Sequence, residues 1–262
     1  MNVFGLSFHP YGLIIGLGFL AGGYASSWLA KRRGVNPDLI WDGLWWVLIP
    51  ALIGARLYHV FDLWSEIYAA DPLSILFIWN GGLGIFGGII GGFLGIWMYY
   101  KLKIVNCKLK IPAKSFLDLV MFGLPLGQAI GRVGNFINQE VYGLPTALPW
   151  GIYIKPENRL PEFQNINLYH PLFAYEAILN LLGFAVMLTA EKKNWQLKHY
   201  YLPFYLIWYG AVRFGLEFLR PRAWVWGVFR LDVAQIVSIM MVISGIILYA
   251  LKAKNLPLPK PS

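Results

Sequence analysis

Charge is what this sequence has least of. Only 13% of its 262 residues are Asp, Glu, Lys or Arg, about half the share found in a soluble domain. Its one cysteine, Cys107, excludes a disulfide within the chain and a metal cluster built from cysteines. The sequence also lacks an H-E-x-x-H pattern, a Walker phosphate-binding loop and a G-x-S-x-G nucleophile turn. The common metalloprotease, nucleotide-binding and serine-hydrolase motifs are therefore excluded.

Long apolar runs fill most of the chain, which is 58% hydrophobic and carries 12 Trp, 15 Tyr and 17 Phe. A helix of about 20 apolar residues crosses the hydrocarbon core of a membrane. The sequence therefore predicts an all-α polytopic membrane bundle forming one domain over residues 1–262. A shorter apolar piece, Ile75–Trp79, is too short to span. The seven predicted spans are Tyr11–Ala30, Leu39–Phe61, Gly82–Tyr100, Ser115–Ile137, Pro171–Ala190, Tyr200–Leu219 and Val233–Leu251.

Lysine and arginine are distributed unevenly between the two sides of this bundle. Fourteen of the 22 lie after the first, third and fifth spans or in the C-terminal tail, five lie on the opposite side, and three lie within spans. Because positive charge favours the cytoplasmic side, the N-terminus is predicted outside and the C-terminus inside. The longest connection, residues 138–169, then forms a small outer cap. This orientation explains the net charge of +9 without a nucleic-acid partner.

Glycines recur at helical spacing in and before the third span. Gly84, Gly88 and Gly92 fall four residues apart, as do three further glycines beginning at Gly87. Such faces allow a neighbouring helix backbone to approach closely. The alternative is that the missing side chains leave room for a lipid head group or an acyl chain.

Three arginines, Arg56, Arg132 and Arg213, lie inside predicted spans. A central arginine costs about 2.5 to 3.5 kcal/mol on insertion scales, so it normally faces a cavity and serves function. One alternative is a purely structural ion pair, such as Arg213 with Glu217 four residues later. At 1.5 Å per residue, however, all three lie about 20 to 25 Å from the inner ends of their helices. They are therefore predicted to share one depth, in the outer leaflet.

Other polar residues fall at the same depth. They are Tyr11, His170, Tyr175, Glu176, Tyr209, Glu217 and Arg220. Arginine binds phosphate through two parallel hydrogen bonds and keeps its charge. Carboxylates such as Glu140, Glu176 and Glu217 would hold the guanidinium groups in place. The sequence thus predicts an outer-leaflet site for an anionic phospholipid beneath the cap.

Six segments, in order along nearly the whole chain, carry a resemblance to a known family. They are P-Y-G at Pro10–Gly12, G-A-R-L-Y at Gly54–Tyr58, I-W-N-G-G at Ile78–Gly82, G-R-V-G-N-F-I-N-Q-E-V-Y-G at Gly131–Gly143, H-P-L-F-A-Y-E at His170–Glu176, and Y-G-A-V-R-F-G-L-E-F-L-R at Tyr209–Arg220. The thirteen-residue segment closely resembles the signature of the prolipoprotein diacylglyceryl transferases.

The resemblance implies an enzyme of the bacterial inner membrane, with its active site toward the outer leaflet. It implies transfer of the diacylglyceryl group from phosphatidylglycerol to the lipobox cysteine of a prolipoprotein, with release of glycerol-1-phosphate. It implies no metal or organic cofactor. The predicted catalytic residues are Arg132, Arg213, Glu217, Tyr209 and Tyr11. The predicted phosphatidylglycerol-binding residues are Arg132, Asn135, Asn138, Glu140, Gly143, Arg56 and Arg220.

The third-helix motif departs from the family at Phe86. Many members resembling this chain carry histidine there, assigned as a base, and phenylalanine cannot accept a proton. The alternatives are Glu140, His170, His59, Tyr11, or no protein base if the arginines acidify the thiol enough. We favour the last of these.

Two other functions remain open at this stage. A phospholipid transporter or flippase also uses buried arginines and glycine-rich helices, but it predicts polar groups at the midplane and repeated halves. A phospholipid phosphatase-like hydrolase would need a histidine near the arginines.

Overall fold

The computed structural model describes residues 2–3, 6–7, 10–77, 81–105, 112–221, 227–228 and 231–254. Within these ranges there are seven α-helices, one at each predicted span: α1 Pro10–Arg32, α2 Asp38–Asp62, α3 Ile85–Val105, α4 Ala113–Asn138, α5 Leu172–Lys192, α6 Tyr201–Glu217 and α7 Val233–Lys254. Five of them (α1, α2, α4, α5 and α7) are long and apolar enough to cross a membrane. The chain is thus a polytopic helical membrane protein. That all seven helices cross, and in which direction, stay predictions.

Strands are short and come in three antiparallel pairs of two residues each. They are β1 Asn2–Val3 with β2 Leu6–Ser7, β3 Ile152–Tyr153 with β4 Leu168–Tyr169, and β5 Gly227–Val228 with β6 Leu231–Asp232. The β3–β4 pair organises the predicted cap.

Helix ends differ from the predicted ones where local backbone geometry intervenes. The third helix begins at Ile85, since Gly81 and Gly82 have φ angles of 90° and 76°, a left-handed conformation that excludes them from a helix. The first two residues of the short apolar piece, Ile75 and Leu76, lie at the end of a 3₁₀ turn, Pro72–Leu76. The end of that piece, residues 78 and 79, lies outside the described residues.

The chain divides into two compact units. The first unit comprises residues 1–29 and 117–262, and the second comprises residues 30–116. The single domain predicted over residues 1–262 stays a prediction. Each unit is described by itself below.

In the first unit, α1 and α4 touch through glycine. A Cβ atom placed on Gly123 would lie 2.0 Å from the carbonyl oxygen of Gly22, and one on Gly18 would lie 2.7 Å from that of Gly127. Real Cβ atoms do not approach so closely, so only glycine permits this contact. At the far end of the contact, the ring of Tyr11 lies 2.8 Å from the equivalent position on Gly134. The glycines therefore set where Tyr11 stands beside α4.

Large side chains, rather than glycines, bridge α4 to α5 and α6. The Phe122 ring of α4 lies 5.3 Å from both Phe184 of α5 and Tyr201 of α6. The Tyr201 hydroxyl donates to the carbonyl of Met187, at 3.0 Å. These rings form an apolar layer, and the functional side chains lie on one side of it.

The cap follows α4 and has a small core of its own. Tyr142, Ile154 and Tyr169 are almost fully buried together. Arg159 ties the surrounding turns, since it donates to the carbonyls of Ile154 (2.8 Å) and of Gln164 (2.7 Å). Its donors are thus used within the cap, which marks Arg159 as a structural residue.

In the second unit, α2 and α3 pack through one of the two glycine faces. Cβ atoms on Gly87, Gly91 and Gly95 would lie 1.9 to 2.1 Å from backbone carbonyl oxygens of α2. Close helix packing, one of the two interpretations of this glycine run, is therefore confirmed for that face.

Candidate functional site

Arg132 lies near the end of α4, and its guanidinium group contacts polar side chains of α4 and α5. Its Nη1 donates to Asn135 Oδ1 at 3.1 Å, and its Nη2 forms an ion pair with Glu176 Oε1 of α5. Asn135 in turn donates to Glu140 at 2.8 Å. The helix places Arg132 and Asn135 three residues apart on one face, so a single chain of contacts runs from α5 to the turn after α4.

Glu176 is shared by two donors. Besides Arg132, the hydroxyl of Tyr209 on α6 donates to the same Oε1 atom at 3.0 Å. The Glu176 side chain is only 2% exposed, while that of Arg132 is 23% exposed. A carboxylate so buried is stable only when it is paired and hydrogen-bonded. We call Arg132, Glu176 and Tyr209 the triad.

A second ionic cluster lies at the end of α6. Glu217 is 1% exposed and pairs with Arg213 at 2.6 Å and with Arg220 at 3.0 Å. Four and three residues separate these partners from Glu217, so one helix and its final turn bring them together. Among the described residues, no acceptor binds the buried Nε atom of Arg220, so this N–H is a candidate donor to a ligand.

Tyr209 connects the two clusters, because its hydroxyl lies within electrostatic range of both Arg132 and Arg213. Three arginines and three carboxylates meet here in total, counting Glu140 with Glu176 and Glu217. Their formal charges cancel in sum, while each guanidinium group keeps its own positive charge. A phosphate would compete with buried carboxylates for guanidinium donors.

The turn after α4 holds Glu140 between two strained residues. Gln139 and Val141 have φ angles of 52° and 57°, a region that costs non-glycine residues energy, above all β-branched ones. The N–H of Glu140 bonds the carbonyl of Asn135 at 2.9 Å, the six-residue contact that closes many helices. Such backbone strain is common at functional sites, and here it fixes the position of Glu140 between the two strained residues.

The remaining predicted residues of the first unit have distinct positions. Gly143 lies where the start of the cap contacts the segment just before α5. Its N–H bonds the carbonyl of His170 at 2.7 Å, and a Cβ atom at this position would lie 2.8 Å from His170. Tyr11 packs on Gly134, two residues from Arg132. Asn138 is exposed at the end of α4.

Arg56 lies in the second unit and is 8% exposed. It donates to the backbone carbonyls of Ile75 (2.9 Å), Gly81 (2.8 Å), Gly82 (2.9 Å) and Ser74. These contacts hold the segment before α3. Binding of phosphatidylglycerol by Arg56 stays a prediction, and the contacts favour a structural role.

The candidate bases occupy hydrogen-bonded positions. His170 Nδ1 lies 3.2 Å from the Tyr175 hydroxyl, which accepts the indole N–H of Trp150 at 2.7 Å. In the second unit, His59 Nδ1 lies 2.9 Å from the Tyr68 hydroxyl. Phe86, also in the second unit, has its ring 5.9 Å from that of Tyr58. These distances do not distinguish one of these residues as the general base.

Sequence reasoning missed a second polar layer in the first unit. Gln128, Asn180 and Tyr205 lie four residues from Arg132, Glu176 and Tyr209 respectively. Gln128 Nε2 donates to the Tyr205 hydroxyl at 2.8 Å. The four-residue spacing was a signal available in the sequence, although neutral amides carry no charge to draw attention.

Comparison with known proteins identifies one family that the chain resembles along nearly its whole length. The family model described as prolipoprotein diacylglyceryl transferase matches residues 1–251. The chain is 41% identical over 256 residues to the phosphatidylglycerol–prolipoprotein diacylglyceryl transferase of Trichormus variabilis, an alignment covering 95% of this chain and 87% of that protein. It is 36% identical over 264 residues to the protein of the same name from Synechococcus elongatus, covering 96% and 87%. The same-named protein of Fervidobacterium nodosum is 38% identical over 226 residues, covering 85% and 75%.

Proposed function

The chain belongs to the prolipoprotein diacylglyceryl transferase family, and on that basis we propose that it transfers the diacylglyceryl group of phosphatidylglycerol to a prolipoprotein. The acceptor is the thiol of the lipobox cysteine, and glycerol-1-phosphate leaves. The observation that carries the proposal is the pair of arginine clusters joined at Tyr209. Guanidinium groups fixed in these two clusters support the binding and cleavage of a phosphodiester there.

The reaction forms one bond and breaks one. The thiolate sulfur attacks the glycerol carbon that bears the phosphate, a thioether forms, and the carbon–oxygen bond breaks. Its electron pair passes to the phosphate oxygen, so negative charge grows on the leaving group. Guanidinium groups already fixed in a dry site stabilise that charge without reorganising. The same positive charge lowers the thiol pKa from its usual value of about 8.5, so the thiol proton passes to solvent.

The two arginines take different parts. Arg132 is held from two sides, by Asn135 and Glu176, and binds the phosphate throughout. Arg213 is held by Glu217 alone among the contacts described, and acts mostly in the transition state. Tyr209 and Glu176 orient Arg132, while Glu217 orients Arg213 and Arg220.

The site opens to the outer leaflet of the bacterial inner membrane, with the C-terminus in the cytoplasm. The excess of lysine and arginine on one side supports this orientation. Residues 138–169 form the cap above the site, tied to it by the bond from the N–H of Leu144 to the carbonyl of Leu219 at 2.8 Å. Tyr11 reaches the site through the glycine contact of α1 with α4.

The decisive assay combines the purified protein, phosphatidylglycerol labelled in its acyl chains, and a peptide that contains a lipobox. A labelled thioether peptide, identified by mass spectrometry, is the expected product. A peptide with serine in place of cysteine is the matched control and should acquire no label.

Each other product points to a different function. Labelled diacylglycerol without labelled peptide would mean that the protein is a hydrolase. Lipid that moves between leaflets without any covalent product would mean a flippase. Either result would overturn the proposed transfer.

A further inference from the structure

The second polar layer lies one helical turn from the triad on all three helices. Gln128, Asn180 and Tyr205 each stand four residues from a triad member, and a turn advances about 5.4 Å. One more turn away from the triad, four residues from Asn180 and Tyr205, are Phe184 on α5 and Tyr201 on α6, which belong to the apolar ring layer. The second polar layer therefore lies between the charged triad and the apolar ring layer. The cap lies on the opposite side of the triad.

Two amides of this layer carry buried polar atoms without a hydrogen-bond partner among the residues that the structure describes. They are the Nδ2 and Oδ1 atoms of Asn180 and the Oε1 atom of Gln128. Asn180 is fully buried, and it shares a face of α5 with Glu176. Leaving a buried donor or acceptor unpaired costs about 1 to 3 kcal/mol, so such groups call for a functional explanation.

The layer is closed at one end and partly open at the other. Asn180 is 0% exposed, whereas Gln128 is half-buried. At this layer the Gln128–Tyr205 hydrogen bond joins α4 to α6, and one layer away the Phe122 ring packs between Phe184 of α5 and Tyr201 of α6. Of the two amides, Gln128 is therefore the more accessible from outside the bundle.

The chemistry of a bound phospholipid matches this order of layers. When its phosphate lies on Arg132, the ester groups of its glycerol begin one and two carbons beyond the reacting carbon. They lie on the side of the acyl chains, which is the side of the apolar ring layer. An ester carbonyl can only accept hydrogen bonds. Its donors at this layer are the unpaired Nδ2 of Asn180 and the second N–H of Gln128 Nε2, whose first N–H donates to Tyr205.

We propose that Gln128 and Asn180 form a subsite that hydrogen-bonds the ester carbonyl oxygens of the diacylglyceryl group. The subsite rests on the proposed function and adds to it a preference for ester-linked over ether-linked lipid. It places the glycerol backbone relative to the arginines, so that the carbon to be attacked stands in a fixed position. The head group extends the opposite way, toward the cap.

The test compares ester-linked phosphatidylglycerol with its dialkyl ether analogue, which has no carbonyl oxygens. Both lipids are presented at the same mole fraction in the same detergent, with the same lipobox peptide. The wild-type protein should show a kcat/KM about tenfold higher for the ester lipid, the ratio expected from one ordinary hydrogen bond. In Asn180→Leu, which keeps a similar side-chain volume, the ratio should fall to near one.

Ser27→Ala is the matched control. The Ser27 hydroxyl is also buried and has no hydrogen-bond partner within the described ranges, but it lies on α1 outside the site. This variant should keep the wild-type preference for the ester lipid. If Asn180→Leu does not fold, Gln128→Met takes its place with the same expected loss of preference.

Two results would overturn the subsite. The first is a wild-type protein that uses the ester and ether lipids equally well, which needs no variant to observe. The second is a folded Asn180→Leu or Gln128→Met that keeps the full preference for the ester lipid. A wild-type protein that makes no thioether from the ester lipid would instead contradict the proposed transfer itself.

Discussion

At the scale of single residues, two nearly inaccessible carboxylates each bind a pair of neighbours. Glu176 accepts from Arg132 and Tyr209, and Glu217 pairs with Arg213 and Arg220. Because each carboxylate is nearly inaccessible while its arginines are partly exposed, the donors that remain free point to where a ligand can enter. The carboxylates orient the arginines and need not touch the substrate.

Arg213→Lys should reduce turnover more than it reduces lipid binding. Lysine keeps the charge but loses the planar fork that matches a phosphate. Loss of one charge-stabilising donor typically costs about 100- to 1000-fold in kcat. Steady-state kinetics with phosphatidylglycerol and a lipobox peptide should therefore show a much lower kcat with KM nearly unchanged.

Arg132→Lys is the matched comparison, because both changes keep the charge. This variant should raise KM for phosphatidylglycerol, since Arg132 is assigned to bind the phosphate in the ground state and the transition state alike. If Arg213→Lys keeps its turnover and loses binding instead, the roles of the two arginines are reversed.

The pH dependence of the reaction should follow the substrate thiol alone. Phe86 cannot act as a base, and the arginines supply the positive charge that favours a thiolate. The rate should therefore rise with pH through one ionisation, shared by wild type, Glu140→Gln and His170→Asn. A second ascending ionisation that disappears in either variant would identify that residue as the base.

At the scale of elements, glycine decides how close α1 comes to α4. Gly123→Ala would place a methyl group 2.0 Å from the backbone oxygen of Gly22, which α1 can relieve only by moving away. Overpacking of this kind costs about 1 to 3 kcal/mol. We expect a lower midpoint of thermal unfolding in detergent and reduced transfer, since Tyr11 moves with α1.

Gly16→Ala is the control on the same helix, because nothing lies within 4 Å of the added carbon. It should leave both the unfolding midpoint and the activity close to wild type. Equal effects of Gly123→Ala and Gly16→Ala would mean that glycine acts through helix propensity rather than through the contact.

The cap should lose stability in alkali. Burial raises the pKa of the Tyr142 and Tyr169 hydroxyls above their usual value of 10.0. Because the neutral form is favoured in the folded cap, its contribution is complete below pH 10 and declines as pH rises through the folded pKa. Hydrogen exchange of the cap amides should be slow at pH 8 and should accelerate, beyond the intrinsic effect of pH, above pH 10.

Tyr142→Phe tests the cause of this effect. The hydroxyl donates to the carbonyl of Asn158 at 2.7 Å and accepts the N–H of Leu160 at 3.1 Å. Its removal should destabilise the cap by about 1 to 3 kcal/mol at neutral pH, and should weaken the alkaline transition. An unchanged alkaline transition would assign it to other groups.

At the scale of the whole molecule, the distribution of lysine and arginine predicts the orientation in the membrane. Cys107 is the only cysteine and lies outside the described residues, in a connection predicted to be cytoplasmic. A membrane-impermeant maleimide should label it only after cells are permeabilised. Glu157→Cys, an exposed position in the cap, should be labelled in intact cells when Cys107 is replaced by serine. The reverse pattern would invert the topology.

The positions of the seven helices followed from the sequence, because a run of about 20 apolar residues has no stable alternative in lipid. The helix ends were less predictable. In the sequence, Gly81 and Gly82 are compatible with an apolar helix, yet their positive φ angles exclude them from α3. The partners of Arg56 were also not predictable from the sequence, since the backbone carbonyls that bind it lie 18 to 26 residues further along the chain.

The sequence by itself determined the membrane class, the family and the polar residues near the outer end of the predicted spans. These follow from composition, from runs of residues and from motifs, all of which are local along the chain. Only the tertiary structure decided which partners meet: Glu176 with both Arg132 and Tyr209, 33 to 44 residues apart, and the amides of Gln128 and Asn180 one turn away. Such contacts depend on how helices distant in sequence pack, and helix periodicity alone does not specify that packing.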